Sequence, residues 1–255
     1  MMLPFDDRPP GSGPRRYRRG IFLLPSMMTV GNLFCGYACV VYAMRGDLAT
    51  AAPFIGIAII LDMLDGRIAR LTNTTSAFGV EFDSLADVVS FGLAPAILAF
   101  AWGLSDLGRV GWAAGFVFVT AAAMRLARFN IQTSSQADKR YFVGMPSPAA
   151  AGVTAATVYA WPYPLSGFPM SIAAIAIVLV PAALMVSTIK FRSFKTINFG
   201  HQRTYLPLFV TGLLITFIAA EPRVALVILA YGYLLSAFVE LAISRLKTRA
   251  ETPAA

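Results

Sequence analysis

Eight apolar segments of roughly 17–25 residues, near 21–44, 48–71, 79–103, 109–130, 147–164, 168–189, 205–220 and 223–244, account for most of this 255-residue chain. Each is about as long as a helix needs to be to cross a bilayer. Composition agrees: 57% of residues are hydrophobic and 13% charged, and the mean hydropathy is +0.67. Soluble domains carry about 25% charged residues, so the chain is expected to be an all-α integral membrane protein, a polytopic helical bundle of about eight transmembrane helices. The first apolar run, from Ile21, is too long for the core of a cleavable signal peptide and lacks a small-residue cleavage pattern.

The net charge of +8 looks like a nucleic-acid signal until its distribution is followed. With the N-terminus placed in the cytoplasm, the arginines from Arg8 to Arg19, then Arg67, Arg70, Arg125, Arg128, Lys139 and Arg140 fall inside. So do Lys190, Arg192, Lys195, Arg203, Arg245, Lys247 and Arg249, leaving only Arg45, Arg109 and Arg223 of the 21 Lys and Arg outside. This alternation is what the positive-inside rule requires, and it predicts an even number of spans with both termini cytoplasmic. The basicity is topological, and no nucleic-acid partner is expected. Arg15-Arg16-Tyr17-Arg18-Arg19 is read as an interfacial segment on the anionic cytoplasmic surface.

Against this apolar background four aspartates stand out: Asp62 and Asp65 near the end of the second segment, Asp83 and Asp87 near the start of the third. A carboxylate at a helix centre in the bilayer costs roughly 2.5–3.5 kcal/mol even on lenient insertion scales. Asp62 and Asp65 are spaced i,i+3, and Gly79, Asp83 and Asp87 step by i,i+4, so each set lies along one helix face. The polar stretch from Leu71 to Phe78 joins the two segments as an antiparallel hairpin. At about 1.5 Å per residue, Asp83 and Asp87 sit only roughly 6 and 12 Å into their helix, so the acidic pocket is expected at the cytoplasmic headgroup level.

All-carboxylate donors suit hard cations such as Mg²⁺, Mn²⁺ or Ca²⁺. His201 is the sole histidine, and Cys35 and Cys39, four apart on one apolar segment, are read as small packing residues. Gly66, Gly79 and Ala69 leave room for a ligand to approach, and Arg70, one turn beyond Gly66, is placed to pair with a phosphate. Divalent ions, carboxylates, small residues and an arginine together suggest a diphosphate-containing substrate. The bland alternative, buried acids paired with Arg67 and Arg70, leaves four acids facing two bases.

Written out, the stretch is D-x2-D-G-x2-A-R-x8-G-x3-D-x3-D over residues 62 to 87, and it resembles the signature of the CDP-alcohol phosphotransferase family at every defining position. The resemblance, which extends over about 21–245, implies a six-helix core, with the last two segments as additions. It also implies that Asp62, Asp65 and Asp83, helped by Asp87, hold two divalent cations, Mg²⁺ or Mn²⁺. By the same likeness Gly66, Ala69, Arg70, Gly79 and Asn32 line the nucleotide and diphosphate, and Asp87 is the base that activates the acceptor alcohol. Charge and apolar pattern together with the resemblance divide the chain into a basic cytoplasmic segment at 1–20 and a cytoplasmic tail at 246–255, which match nothing in the family, and a transmembrane catalytic domain at 21–245. Family members commonly dimerise, which implies a homodimer embedded among membrane lipids.

The residues around the signature resemble the phosphatidylserine synthase branch. They include Ser84, Ser90-Phe91-Gly92, Arg125-Leu-Ala-Arg128-Phe129-Asn130, Gly144-Met-Pro146-Ser147-Pro148 and the stretch from Lys190 to Lys195. That branch joins CDP-diacylglycerol to L-serine with release of CMP. The serine carboxylate needs a cation, for which Arg125, Arg128, Lys190 and Arg192 are candidates, with Asn130 and Ser147 as neutral donors. The same basic residues also suit a role as lipid-phosphate anchors, and Ser147-Pro148 equally suits a helix N-cap. Choline, inositol phosphate or glycerol phosphate stay open as acceptors. A cation-coupled transporter is the rival class, and it predicts acids near the midplane on repeated, broken helices.

Overall fold

In a computed structural model the described residues are 23–72, 76–134, 141–165, 167–188, 190–192 and 205–251. The basic segment 1–20 therefore lies outside them, as do residues 252–255 of the predicted tail. Helix α1 spans Leu23–Met44 and α2 spans Leu48–Leu71, the two packing tightly along their length. Asp47 caps α2, its side chain accepting from the Thr50 N–H at 3.1 Å. Ser76 caps the next helix in the same way, accepting from the Gly79 N–H at 3.0 Å, so α3 begins at Ala77, two residues before the expected start.

The third span is not one regular helix. It runs as α3 (Ala77–Asp87), a π-helical turn (Val88–Leu93), α4 (Ala94–Ala99), a second π-helical turn (Phe100–Leu104) and a 3₁₀ turn (Ser105–Leu107). Pro95 contributes to this, because it has no N–H to hold the regular i to i−4 ladder, and the Ala94 N–H instead reaches back five residues to Val89 O. Helix α5 follows (Arg109–Ser134), then α6 (Ser147–Ala160), α7 (Phe168–Val186), α8 (Tyr205–Ala220) and α9 (Pro222–Glu251). α5 packs on α7, α6 lies between α2 and α9, and α8 contacts chiefly α9.

Among the described residues five spans are long and apolar enough to cross a membrane: Ser26–Met44, Leu48–Ala69, Ala77–Leu107, Arg109–Ile131 and Phe168–Val186. The chain is thus a multi-pass membrane protein with a helical bundle. α6 has only 14 residues, and the apolar parts of the last two helices, Leu208–Ala220 and Pro222–Ser236, are shorter than the five. The bundle interior is built from small residues, among them Ala51, Ala52, Ala58, Ala94, Ala122 and Ala150, which let helices approach closely. Cys35 and Cys39 are buried free thiols in this core, as their spacing suggested. Large apolar side chains such as Phe34, Ile60, Phe116 and Phe209 cover the outside.

The described residues also include two strands, β1 (Tyr141–Val143) and β2 (Lys190–Arg192), which the all-helical expectation did not contain. They pair antiparallel, with Phe142 opposite Phe191, and tie the chain after α5 to the chain after α7. Gly144 lets β1 lead into α6 here. Its φ is +83°, and a Cβ at this position would lie 2.5 Å from Met185 O. Gly46, in the α1–α2 turn, has a similar φ of +77° but open space around it. Gly46→Ala is expected to cost about 1 kcal/mol, the left-handed conformation alone, whereas Gly144→Ala adds a backbone clash and should cost several-fold more. Thermal midpoints of the two purified variants in detergent check this; equal losses would contradict it.

Candidate active site

Three helices bring the acidic residues together at the end of the bundle where α2 ends and α3 begins. One turn of α2 carries Asp62, half-buried, and Asp65, only 4% exposed. α3 presents Asp83 one turn before Asp87, which is 8% exposed. Carboxylate oxygens of Asp62, Asp83 and Asp87 all lie within 4.8 Å of one another. Asp65 sits beside this group and accepts a hydrogen bond from Thr29 Oγ1 of α1 at 3.2 Å.

α1 fixes the base of the cluster. Asn32 Nδ2 donates to Asp87 Oδ1 at 3.1 Å, while the Asn32 backbone carbonyl accepts from Ser90 Oγ at 2.9 Å. Ser90 comes this close because Gly36 has no side chain; a Cβ there would lie 2.5 Å from Ser90 Oγ and 2.8 Å from Ser90 Cα. Ser90 itself lies on the first π-helical turn, so the irregular helix serves to aim one hydroxyl at α1.

The cluster fits a divalent cation. Among the described residues none of the four aspartates forms an ion pair, and Arg67 is exposed. Among the described residues the buried Asp83 Oδ1 has no hydrogen-bond partner, and neither has Asn32 Oδ1. Two full charges at such separations repel by about 3–4 kcal/mol at an effective dielectric near 20, a cost that a bound cation reverses. The bland alternative, pairing of these acids with Arg67, is not found among the described residues. Arg70 belongs to α2, but its side chain lies outside the described residues, so its expected phosphate contact does too. Gly66, Ala69 and Gly79 are half-buried near the cluster's own turns of α2 and α3.

The two arginines of α5 differ in surroundings. Arg125 is 8% exposed, and its Nε donates to Met145 O at 3.1 Å while the guanidinium lies 5.3 Å from the Phe129 ring centre. Its electrostatic neighbours are Asp87 and Tyr233. Arg128 instead reaches the C-terminus of α7, with Nη1 donating to Val186 O at 3.3 Å and to Ser187 O at 3.5 Å. That geometry satisfies carbonyls that the helix end leaves unpaired. Asn130 Nδ2 donates to Ser84 Oγ at 2.9 Å, and Ser84 Oγ donates in turn to Val80 O at 3.0 Å, joining α5 to α3 beside Asp83.

Ser147 is buried as the first residue of α6, and the capping position belongs to Pro146, with no side-chain cap bond. Ser147 is therefore not the N-cap that the Ser-Pro pair suggested. Lys190 and Arg192 supply backbone to β2, and their side chains lie outside the described residues. Three contributors went unread in the sequence: Thr29, Ser90 as the support of Asn32, and Tyr233. Thr29 had a signal, since it lies i,i+3 from Asn32 on one face of α1.

The profile of the CDP-alcohol phosphatidyltransferase family matches residues 22–194, and the chain belongs to that family. Within it, the chain is similar to CDP-diacylglycerol–serine O-phosphatidyltransferase of Helicobacter pylori, 40% identical over 185 residues, which are 71% of this chain and 76% of that protein. A protein of the same name from Bacillus subtilis is 36% identical over 127 residues, 50% of this chain and 70% of that one. Archaetidylserine synthase of Methanothermobacter thermautotrophicus is 34% identical over 170 residues, 66% of this chain and 69% of that one.

Proposed function

We propose that this chain transfers the phosphatidyl group of CDP-diacylglycerol to L-serine, giving phosphatidylserine and CMP. The observation that carries the reading is the meeting of Asp62, Asp83 and Asp87 within 4.8 Å, with Asn32 holding Asp87 at 3.1 Å. The serine-transfer names of relatives at 34–40% identity support the choice of acceptor.

Asp62, Asp65, Asp83 and Asp87 would hold two divalent cations, Mg²⁺ or Mn²⁺, which when bound neutralise the diphosphate and favour departure of CMP. Gly66, Ala69, Arg70, Gly79 and Asn32 line the nucleotide side. Asp87 takes the proton of the serine hydroxyl as the serine oxygen bonds to the lipid-bearing phosphorus. The bond from that phosphorus to the bridging oxygen breaks, and its electrons leave with CMP. Asn32 keeps one Asp87 oxygen engaged, so the carboxylate presents a fixed face to the acceptor; its strength as a base comes from position. Arg125, the arginine beside Asp87, receives the serine carboxylate. Arg128, engaged with the end of α7, supports that wall, and Asn130, Ser147, Lys190 and Arg192 border the acceptor or lipid phosphate.

The proposal includes eight spans, with both termini and the active site on the cytoplasmic side, in a homodimer surrounded by lipid. The basic residues that border the site support this orientation. A panel of single acceptors tests the assignment. Purified chain with CDP-diacylglycerol should release CMP at least about tenfold faster with L-serine than with glycerol 3-phosphate, inositol phosphate or choline, since a site built for one polar pattern leaves buried groups unpaired with another. Equal or faster release with any of these would reassign the acceptor.

A further inference from the structure

We propose that Tyr233, on a helix beyond the family-matched region, completes the acceptor pocket with Arg125 and selects alcohols that carry a carboxylate beside the reacting hydroxyl. This rests on the serine-transfer reading above. The family profile ends at residue 194, so α9 lies outside it, yet α9 packs on α6 and against β2. Three contacts seat it: Thr157 Oγ1 and Tyr231 OH lie 2.9 Å apart, the Arg223 guanidinium is 5.9 Å from the Tyr159 ring centre, and Leu234 is buried in the core. Residues two apart on a helix project to nearly opposite sides. With Tyr231 engaged by α6, Tyr233 is half-buried on the side of Arg125.

Arg125 explains what a phenol does there. It is a buried cation whose Nε is already used by Met145 O. A buried guanidinium requires an anion. Of its two electrostatic neighbours, Asp87 is assigned to the acceptor's proton and Tyr233 is a neutral phenol. The guanidinium fork therefore has N–H donors left for a substrate anion beside Asp87. In L-serine the hydroxyl-bearing carbon is bonded to the carbon that bears the carboxylate, so an alcohol held at Asp87 puts its carboxylate close by, towards Arg125. A tyrosine hydroxyl both accepts and donates, so Tyr233 can orient the guanidinium and donate to the same carboxylate without adding charge. Tyr233 is thus a positioning and selectivity residue, separate from the proton transfer.

The test compares L-serine with serinol, in which a hydroxymethyl group replaces the carboxylate, in purified full-length wild type, Tyr233→Phe and Tyr231→Phe. Loss of a hydrogen bond to a charged group should raise the L-serine KM of Tyr233→Phe by about tenfold. Uniform binding loss leaves kcat and the CDP-diacylglycerol KM within about twofold, and the preference for L-serine over serinol falls by about the same tenfold. Tyr231→Phe, which loosens α9 from α6 without facing Arg125, should leave that preference unchanged. An unmoved preference in Tyr233→Phe, or an equal fall in Tyr231→Phe, would reduce Tyr233 to packing. If wild type forms no phosphatidylserine but another product, the acceptor assignment fails and this inference with it. Phosphatidylserine formed with an unmoved preference sinks the Tyr233 inference alone.

Discussion

Replacing Asp87 with Asn is expected to lower turnover by about 10³-fold or more while CDP-diacylglycerol still binds, because general-base assistance alone is worth roughly 10²–10⁴-fold. The substitution is nearly isosteric. Asn32 Nδ2 can still donate to the remaining carbonyl oxygen at position 87, so the α1–α3 contact now 3.1 Å long has a replacement. What disappears is the negative oxygen that accepts the serine proton. One of three mutually close carboxylates also loses its charge, which relieves repulsion in the folded protein. The variant should therefore fold at least as well as wild type. Turnover of L-serine in detergent micelles, set beside equilibrium binding of CDP-diacylglycerol, separates the effects. Activity within about tenfold of wild type would remove Asp87 from the role of base.

Asp83→Asn is expected to act through cation affinity. Asp83 Oδ1 is the buried carboxylate oxygen of the cluster that no group among the described residues engages, so it is the one best suited to hold a cation. Its loss should raise the Mg²⁺ or Mn²⁺ concentration for half-maximal activity by about 100-fold, the upper end of the 10–100-fold typical of supporting groups around a metal. Wild type should lose activity in EDTA and regain it with either ion. Stability gives the opposite sign. In EDTA, Asp83→Asn should melt no lower than wild type, because it removes one repelling charge; with the cation present, wild type gains more, since ligand binding stabilises only the folded form. A variant that melts lower in EDTA, with an unchanged cation requirement, would make Asp83 a structural acid.

Much of this arrangement was legible from spacing. The limits of α2 at Leu48 and Leu71 and the acidic face shared by Asp83 and Asp87 follow from apolar length and helical period. The sequence signal for the family also holds, over residues 22–194. Contacts between distant residues left no such trace. Ser90 supports Asn32 across 58 positions, and the approach needs Gly36 on one helix and a π-helical turn on the other. Neither element declares the need alone. Asn130, an acceptor candidate by resemblance, has a second task that spacing does not show: its amide donates to Ser84 and braces α5 against α3. Arg125 and Arg128 look alike in sequence, i,i+3 on one face, but Arg125 donates to Met145 O near the acidic cluster and Arg128 to the end of α7. The β1–β2 ribbon escaped notice because three residues per strand carry too little periodicity to stand out beside spans of 19–31 residues.

The most direct test of the central claim is product identification with purified chain, CDP-diacylglycerol and L-serine, with and without a divalent cation. The account predicts phosphatidylserine and CMP in equal amounts when Mg²⁺ or Mn²⁺ is present, and neither in EDTA. CMP release without phosphatidylserine, or phosphatidylserine formed equally well in EDTA, would contradict it.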